Sequence, residues 1–414
     1  MKKFKLAVLI LCMVAMATAF MGCGKKDPEL TVWSLFGAAD ADYWEEIVEA
    51  YNATDPDMKV RNVLTPDFYT AFLTATSAGN SEDLPDLITL HTERVALFKD
   101  QGIIESMDAI VAPHSQLSRD GFLEQVWDAG LVDGAVYSVP LDVHSSYLYY
   151  NKDLVEQYGN PDTLADGTIT IDEMIEIGER AAADGYVTFP VSHDGWTTSS
   201  WAAQHGGKFF EGNTPTLNTP EMAKGFEEWK RIRAAGISSE DGDDAGQLFL
   251  GGQSLFIQEG TWFVASLEGI DDLNFEWGVA HTPLVSADAK PVNWTSSHAF
   301  SVPTKERSEE VDVAIGEFLD FVRQNAMMWA ASGQNAASTE VFESPEYSGL
   351  VQSFLMGTDE ARESLAIYSF MNNGTAWDAL GQVNGDIIFD RIPVEEGLAQ
   401  AQQVADDMIA QRGE

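Results

Sequence analysis

Four tryptophans occupy polar, turn-rich settings. Trp196 lies in HDGWTTSSW, Trp262 in EGTW, Trp294 in VNWTSSH and Trp377 in NNGTAWDAL. A tryptophan beside Gly, Thr, Ser or Asn is less suited to pure core than one inside an apolar stripe. Sugar rings carry C–H-rich faces that pack on aromatic planes, and hydroxyls that need directional partners. A cleft holding several indoles with acidic, basic, imidazole and amide side chains suits that chemistry. The common catalytic signatures are missing. There is no H-E-x-x-H, no G-x-S-x-G, no P-loop and no G-x-G-x-x-G. The seven histidines are scattered, with none at metal-ligand spacing from another, which weakens an enzyme reading while leaving room for a site assembled from distant residues; no metal or cofactor is assigned from the sequence. Asp162, Asp166, Gly167 and Glu173 fall at positions 1, 5, 6 and 12 of an EF-hand loop, but Leu164 removes the ligand at position 3. A turn before a capped helix explains them better than calcium.

The stretch that must position such a site is Gly134 to Asp153, GAVYSVPLDVHSSYLYYNKD. Ala135 to Leu141 and Tyr147 to Tyr150 read as strands, with Asp142 to Ser146 as a polar step between them. Pro140 excludes a helix there. An extended segment with a polar step suits a chain crossing between lobes, where small-molecule clefts lie. Before it, strands are expected at Leu30 to Trp33, Lys59 to Leu64 and Leu87 to Leu90. Between them come helices, the first capped by Asp40 or Asp42 and carrying Trp44, Ile47, Val48 and Tyr51 on one face. The order strand, helix, strand, helix, strand implies an α/β lobe with a mainly parallel sheet. After the crossing, Asp172 to Ala183 and Glu221 to Ala235 read as helices. Glu259 to Trp262 read as a turn, Val292 to Pro303 as a returning strand and Glu309 to Asn325 as an amphipathic helix. The chain from Ser338 onward reads as mostly helical.

A chain of 414 residues is too long for one typical core, so two or more lobes are expected. Sixty-six acids against 24 bases give a net charge of −42. That disfavours nucleic acid, which needs cationic contacts, and peripheral docking to anionic lipid. The two cysteines, Cys12 and Cys23, cannot make a disulfide framework. Residues 1 to 22 read as an export leader: Lys2, Lys3 and Lys5 precede an apolar run from Leu6 to Phe20 too short to span a bilayer comfortably. Phe20, Met21, Gly22 and Cys23 resemble a bacterial lipobox, with Phe20 standing where that pattern usually has Leu. This resemblance implies lipidation of Cys23 and a protein held at the cell membrane on its extracellular face, or in a periplasm.

Nearly the whole chain after the lipobox resembles the extracellular solute-binding proteins of bacterial ABC importers, in the branch that includes maltose- and multiple-sugar-binding proteins. The resemblance rests on ELTVW, PDL, GIIESMD, GAVYSVPLDVHSSYLYYNKDL, QHGGKFF, FLGGQSLFIQEGTW, WTSSHAFSVP and WAASGQNAAS in that order. It implies an α/β, two-lobed periplasmic-binding-protein-like fold with hinge crossings and a central cleft. The lobes are expected at residues 30–141 plus 299–335 and 142–298 plus 336–414, after a tether at 23–29. It implies a monomer that captures a carbohydrate and passes it to permease subunits, without catalysis. Site residues carried over by spacing are Glu93 and Arg94, His144 in place of a contacting glutamate, and Trp196, Trp262 and Trp377 as stacking aromatics. Asp142, Trp294 and His298 are added from their place at the crossings. The readings that compete are an exported glycoside hydrolase, a binder of a peptide, polyamine or polyol, and an adhesion module.

Overall fold

The computed structural model describes residues 28–160 and 162–412; the leader, Cys23 and most of the tether lie outside them. Among the described residues no helix is long and apolar enough to cross a membrane. Twelve strands build two mixed sheets. They are β1 (Glu29–Ser34), β2 (Lys59–Leu64), β3 (Leu87–His91), β4 (Ile104–Glu105), β5 (Val139–Pro140) and β6 (Asp142–Asn151), followed by β7 (Phe256–Gly260), β8 (Trp277–Ala280), β9 (Asn293–Ser296), β10 (His298–Pro303), β11 (Asn335–Ala336) and β12 (Leu365–Ile367).

The first sheet runs β2-β1-β3-β10-β4, with β5 also on β10. β1 pairs parallel with β2 and β3, and β10 returns antiparallel. The helix between β1 and β2, α1 (Ala38–Ala53), buries Trp44, Ile47, Val48 and Tyr51 on one face, as the period-3.6 spacing requires. Its N-cap is Gly37 rather than Asp40 or Asp42, and Asp40 sits inside the first turn. The chain after β3 makes one 3-10 turn, Thr92–Arg94, before the helix Val95–Asp100. That turn sets Glu93 and Arg94 at the C-terminal end of a parallel strand.

The second sheet runs β7-β6-β9-β12, with β8 and β11 also on β6. β6 is its centre, and nine of its ten residues are buried. The polar step expected inside it does not interrupt it, because neighbouring segments satisfy polar side chains along the strand. Ser145 Oγ donates to the Trp294 carbonyl (2.9 Å), Tyr147 Oη to the Gln352 carbonyl (2.6 Å) and Tyr149 Oη to the Gly260 carbonyl (2.8 Å). A buried polar side chain costs little once it is paired. Glu259 and Gly260 likewise end β7 rather than form a turn. The single strand expected over Val292 to Pro303 is two strands. β9 belongs to the second sheet and β10 to the first, and Ser297 lies between them. Leu141 does the same between β5 and β6. The chain therefore passes between the sheets at Leu141 and at Ser297, and the two crossings are adjacent: the Leu141 N–H donates to the carbonyl of His298, the residue after Ser297 (2.8 Å).

The helices flanking the second sheet that matter for the site are α2 (Ile171–Ala183), α3 (Asp194–Gln204) and α4 (Asn373–Gly381). The EF-hand-like stretch is the approach to α2. Thr170 caps that helix in a capping box, and Glu173 Oε2 accepts from Thr170 N (2.9 Å) and Oγ1 (2.7 Å). Glu173 is thereby committed to the cap, and Asp166 Oδ1 accepts from Thr168 N (3.0 Å) and Oγ1 (2.8 Å).

Candidate ligand cleft

Both crossings open onto one cavity of about 480 Å³, within the usual range for small-molecule sites. Its wall includes Glu93, Arg94, His144, Trp196, Trp262, Trp294, His298 and Trp377, all singled out from the sequence. Asp142, the ninth such residue, lies beneath that wall, fully buried. Cys23 falls outside the described residues.

The floor is electrostatic. Asp142 Oδ2 accepts from His298 Nδ1 (2.6 Å) and Trp329 Nε1 (3.0 Å), and Oδ1 from the His298 backbone N–H (2.7 Å) and His144 Nδ1 (3.2 Å). Burial pushes the Asp142 carboxyl up, but the His298 charge and the bonds from His144 and His298 outweigh it and hold it well below the carboxylate range. His298 moves the other way: burial opposes its charge, and Asp142 overcomes that and raises its pKa. Burial, reinforced by the neighbouring His298 charge, pushes His144 down. His91, at the end of β3, is lowered to about 3 by burial. Glu93 is a carboxylate of the cavity wall. Burial raises its pKa, but His91 and the Ser296 hydroxyl that donates to it (2.6 Å) bring it below its ordinary value. Asp40 keeps no such cationic partner at bonding distance. Burial lifts it to about 6, against a bond from Gln334 Nε2 (2.9 Å).

The roof is aromatic, and its packing is specific. Trp196 from α3 is sandwiched. His193 stacks on one face at 4.2 Å and 3°, and Trp294 on the other at 4.0 Å and 5°. Its faces are taken, so only its edge is left for a ligand in this conformation. Trp262 stands edge-on to Trp196 at 5.6 Å and 77°, and Trp377 edge-on to Trp294 at 6.2 Å and 88°. Trp377 rests on Phe209 at 4.5 Å. Trp262 rests on Gly260, where an added Cβ would lie 2.1 Å from the indole ring. Glycine is thus required at 260 for close approach rather than for backbone freedom. His193 is held against Trp196 by Glu259, 2.8 Å from its Nε2. Arg94 spans the cleft. Its guanidinium lies over Gly374, where a Cβ would come within 2.5 Å, and 3.6 Å from Asp378, while Tyr69 offers its ring 5.2 Å away.

The sequence profile of the bacterial extracellular solute-binding proteins matches residues 37–329. The chain belongs to this family. Among curated relatives of this solute-binding protein, the maltotriose-binding protein of Pyrococcus abyssi is 23% identical over 65% of the chain, and the lactose-binding protein of Rhizobium radiobacter is 24% identical over 68%. The chain spans 56% and 65% of their respective lengths. A maltooligosaccharide ABC transporter solute-binding lipoprotein of Streptococcus pneumoniae is 22% identical over 98% of the chain and 96% of its own length. Among solved structures, the cyclic α-maltosyl-1,6-maltose-binding protein of Arthrobacter globiformis superposes with a TM-score of 0.74 at 23% identity, covering 92% of this chain and 99% of that one. The maltose/maltodextrin-binding domain of Bdellovibrio bacteriovorus, bound to maltotriose, gives 0.76 at 18%, covering 92% and 100%. The fold is therefore the mixed α/β, two-lobed architecture of those proteins.

The wall of this solute-binding protein also contains Asp40, Tyr69, His91 and Gln334, which the sequence reading passed over. Two of them carried a usable signal. Asp40 follows the C-terminal end of β1 and His91 ends β3, the side of a parallel sheet on which ligands bind. Tyr69 and Gln334 reach the cavity through tertiary packing, for which nothing local in the sequence speaks.

Proposed function

We propose that this protein captures a carbohydrate of the oligosaccharide class by lobe closure and hands it to an ABC import permease, without altering it. The observation that carries the reading is the joint composition of the cavity: four tryptophans on one side, and carboxylate, guanidinium and imidazole groups on the other. Flat apolar faces and indole N–H groups beside charged acceptors and donors match a sugar's two kinds of surface. The sugar specificities of the named relatives support the same class. Contacts from Glu93 and Arg94 on one wall and from Trp262 and Trp377 on the other would make the closed form bind more tightly, and that differential affinity is what drives closure. In this reading the lobes are 30–141 plus 299–335 and 142–298 plus 336–414, hinged near Leu141 and Ser297. Cys23 carries the lipid that keeps a monomeric receptor at the membrane.

The test is a thermal-shift screen of the purified protein against mono- and oligosaccharides, with peptides, polyamines and polyols included. A ligand at 100 times its Kd adds about 2.7 kcal/mol of stability, a shift of a few degrees for a chain of this size. A response confined to polyamines or peptides would overturn the carbohydrate assignment. Recovery of cleaved sugar would overturn the transport role in favour of a hydrolase. Trp262→Ala is expected to weaken the responding sugar more than tenfold with the fold intact by circular dichroism. Unchanged affinity would remove Trp262 from the site.

A further inference from the structure

Three histidines far apart in the chain meet in the cavity wall: His91 ending β3, His144 in β6 and His298 opening β10. Each offers a ligand nitrogen, and the three nitrogens lie within 4.8 Å of one another. The ring centroids are 4.4 Å apart for His144 and His298, 4.8 Å for His91 and His298, and 5.5 Å for His91 and His144. Imidazoles bound at about 2.1 Å to a tetrahedral ion hold their nitrogens roughly 3.4 Å apart and their ring centres about 5 Å apart. The rings already stand near that spacing, and the ligand nitrogens need to close by at most about 1.4 Å.

The outward sides of the rings supply a second observation. Asp142, fully buried, bonds Nδ1 of His144 (3.2 Å) through one oxygen and Nδ1 of His298 (2.6 Å) through the other. The Tyr69 hydroxyl lies 2.7 Å from His91 Nδ1. Each Nδ1 has a partner behind it, and among the described residues no protein group bonds any of the three Nε2 atoms. A carboxylate on Nδ1 fixes the tautomer and leaves the Nε2 lone pair for a metal, and the Tyr69 oxygen does the same for His91 when it accepts from Nδ1.

We propose that His91, His144 and His298 bind one divalent first-row transition ion, Zn²⁺ being the type case, through their Nε2 atoms. The fourth position opens on the cavity and is filled by water or by an oxygen of the captured solute. A set made only of imidazoles selects this class of ion over Ca²⁺ or Mg²⁺. Asp142 acts as a positioning residue for two ligands at once. His144 and His298 donate Nδ1–H to Asp142, and His91 donates Nδ1–H to the Tyr69 oxygen. Any proton on Nε2 leaves to solvent as the ion enters.

The experiment is a calorimetric titration of chelator-treated protein with ZnCl₂, without carbohydrate, paired with a Co²⁺ titration followed by visible absorption. One ion per chain is expected, with the strong visible band of four- or five-coordinate Co²⁺. His91→Asn is expected to weaken Zn²⁺ at least tenfold, and Asp142→Asn by about 10- to 100-fold. His205→Ala, which alters a histidine paired with Glu228 instead, leaves binding unchanged. If Asp142→Asn fails to fold, half-buried His91 still decides the matter. Absence of a stoichiometric ion, or equal Zn²⁺ affinity in His91→Asn and the unaltered protein, would overturn the proposal. The sugar screen on chelated protein reads the transport role separately, so the failure of one is not the failure of the other.

Discussion

Asp40 concentrates the residue-scale chemistry of the cleft. Its carboxyl is lifted to about 6 by burial, against an ordinary value of 3.8. Between those two values the folded protein holds more protons than the unfolded chain, so Asp40 lowers stability as pH rises through about 4 to 6. Asp40→Asn removes that penalty while leaving an oxygen for Gln334. The variant is expected to be more stable than the parent at pH 7 and to match it near pH 4, by urea denaturation across the range. A constant difference at all pH values would show that Asp40 does not titrate in this window. Residue types were legible in the sequence here to the extent that their neighbours declared them. Trp196, Trp262, Trp294 and Trp377 stood out because Gly, Thr, Ser and Asn flank them, and all four reach the cavity wall. Ring orientation was not legible. That His193 and Trp294 close both faces of Trp196 depends on side chains brought together by α3 and β9. The convergence of His91, His144 and His298 was hidden for the same reason, since three separate strands bring it about.

At the scale of elements, periodicity served where one face alone is buried. The stripe Trp44, Ile47, Val48, Tyr51 located α1. It failed where burial is complete. β6 is buried on both faces, so its polar residues gave no clue that Asp142 to Ser146 continue the strand. The partners that make this tolerable, such as the Trp294 carbonyl on Ser145, lie more than a hundred residues away. The crossing was expected at 298/299, but its division into two strands at Ser297 was not read for the complementary reason: Val292 to Pro303 is extended almost throughout, and only sheet membership changes. The approach to α2 was read correctly as a capped turn. Thr170→Ala removes both the cap and the anchor for Glu173, and is expected to cost about 1 kcal/mol, measured by urea denaturation. It should leave the melting temperature equally insensitive to added Ca²⁺. A loss of Ca²⁺-dependent stability in this variant would instead restore a calcium role to Asp162–Glu173.

For the whole molecule, the order of elements was enough to indicate a leading parallel lobe, and the resemblance supplied the second lobe and the cleft. What neither indicated is how far the apolar core continues across the boundary. One buried cluster runs from Leu30 and Val32 in β1 through Val143 and Tyr147 in β6 to Phe263 beyond β7. The net charge of −42 adds solubility and repulsion between copies rather than shape. The indole cluster in the cleft has an optical consequence. Four indoles joined by contacts of 4.0 to 6.2 Å between centroids are close enough for their electronic transitions to couple. A solute that enters among them, or a closure that shifts any pair, should change the near-ultraviolet circular dichroism and quench or brighten the emission without any attached dye. An unchanged spectrum at ligand saturation would mean that the solute binds without touching this cluster.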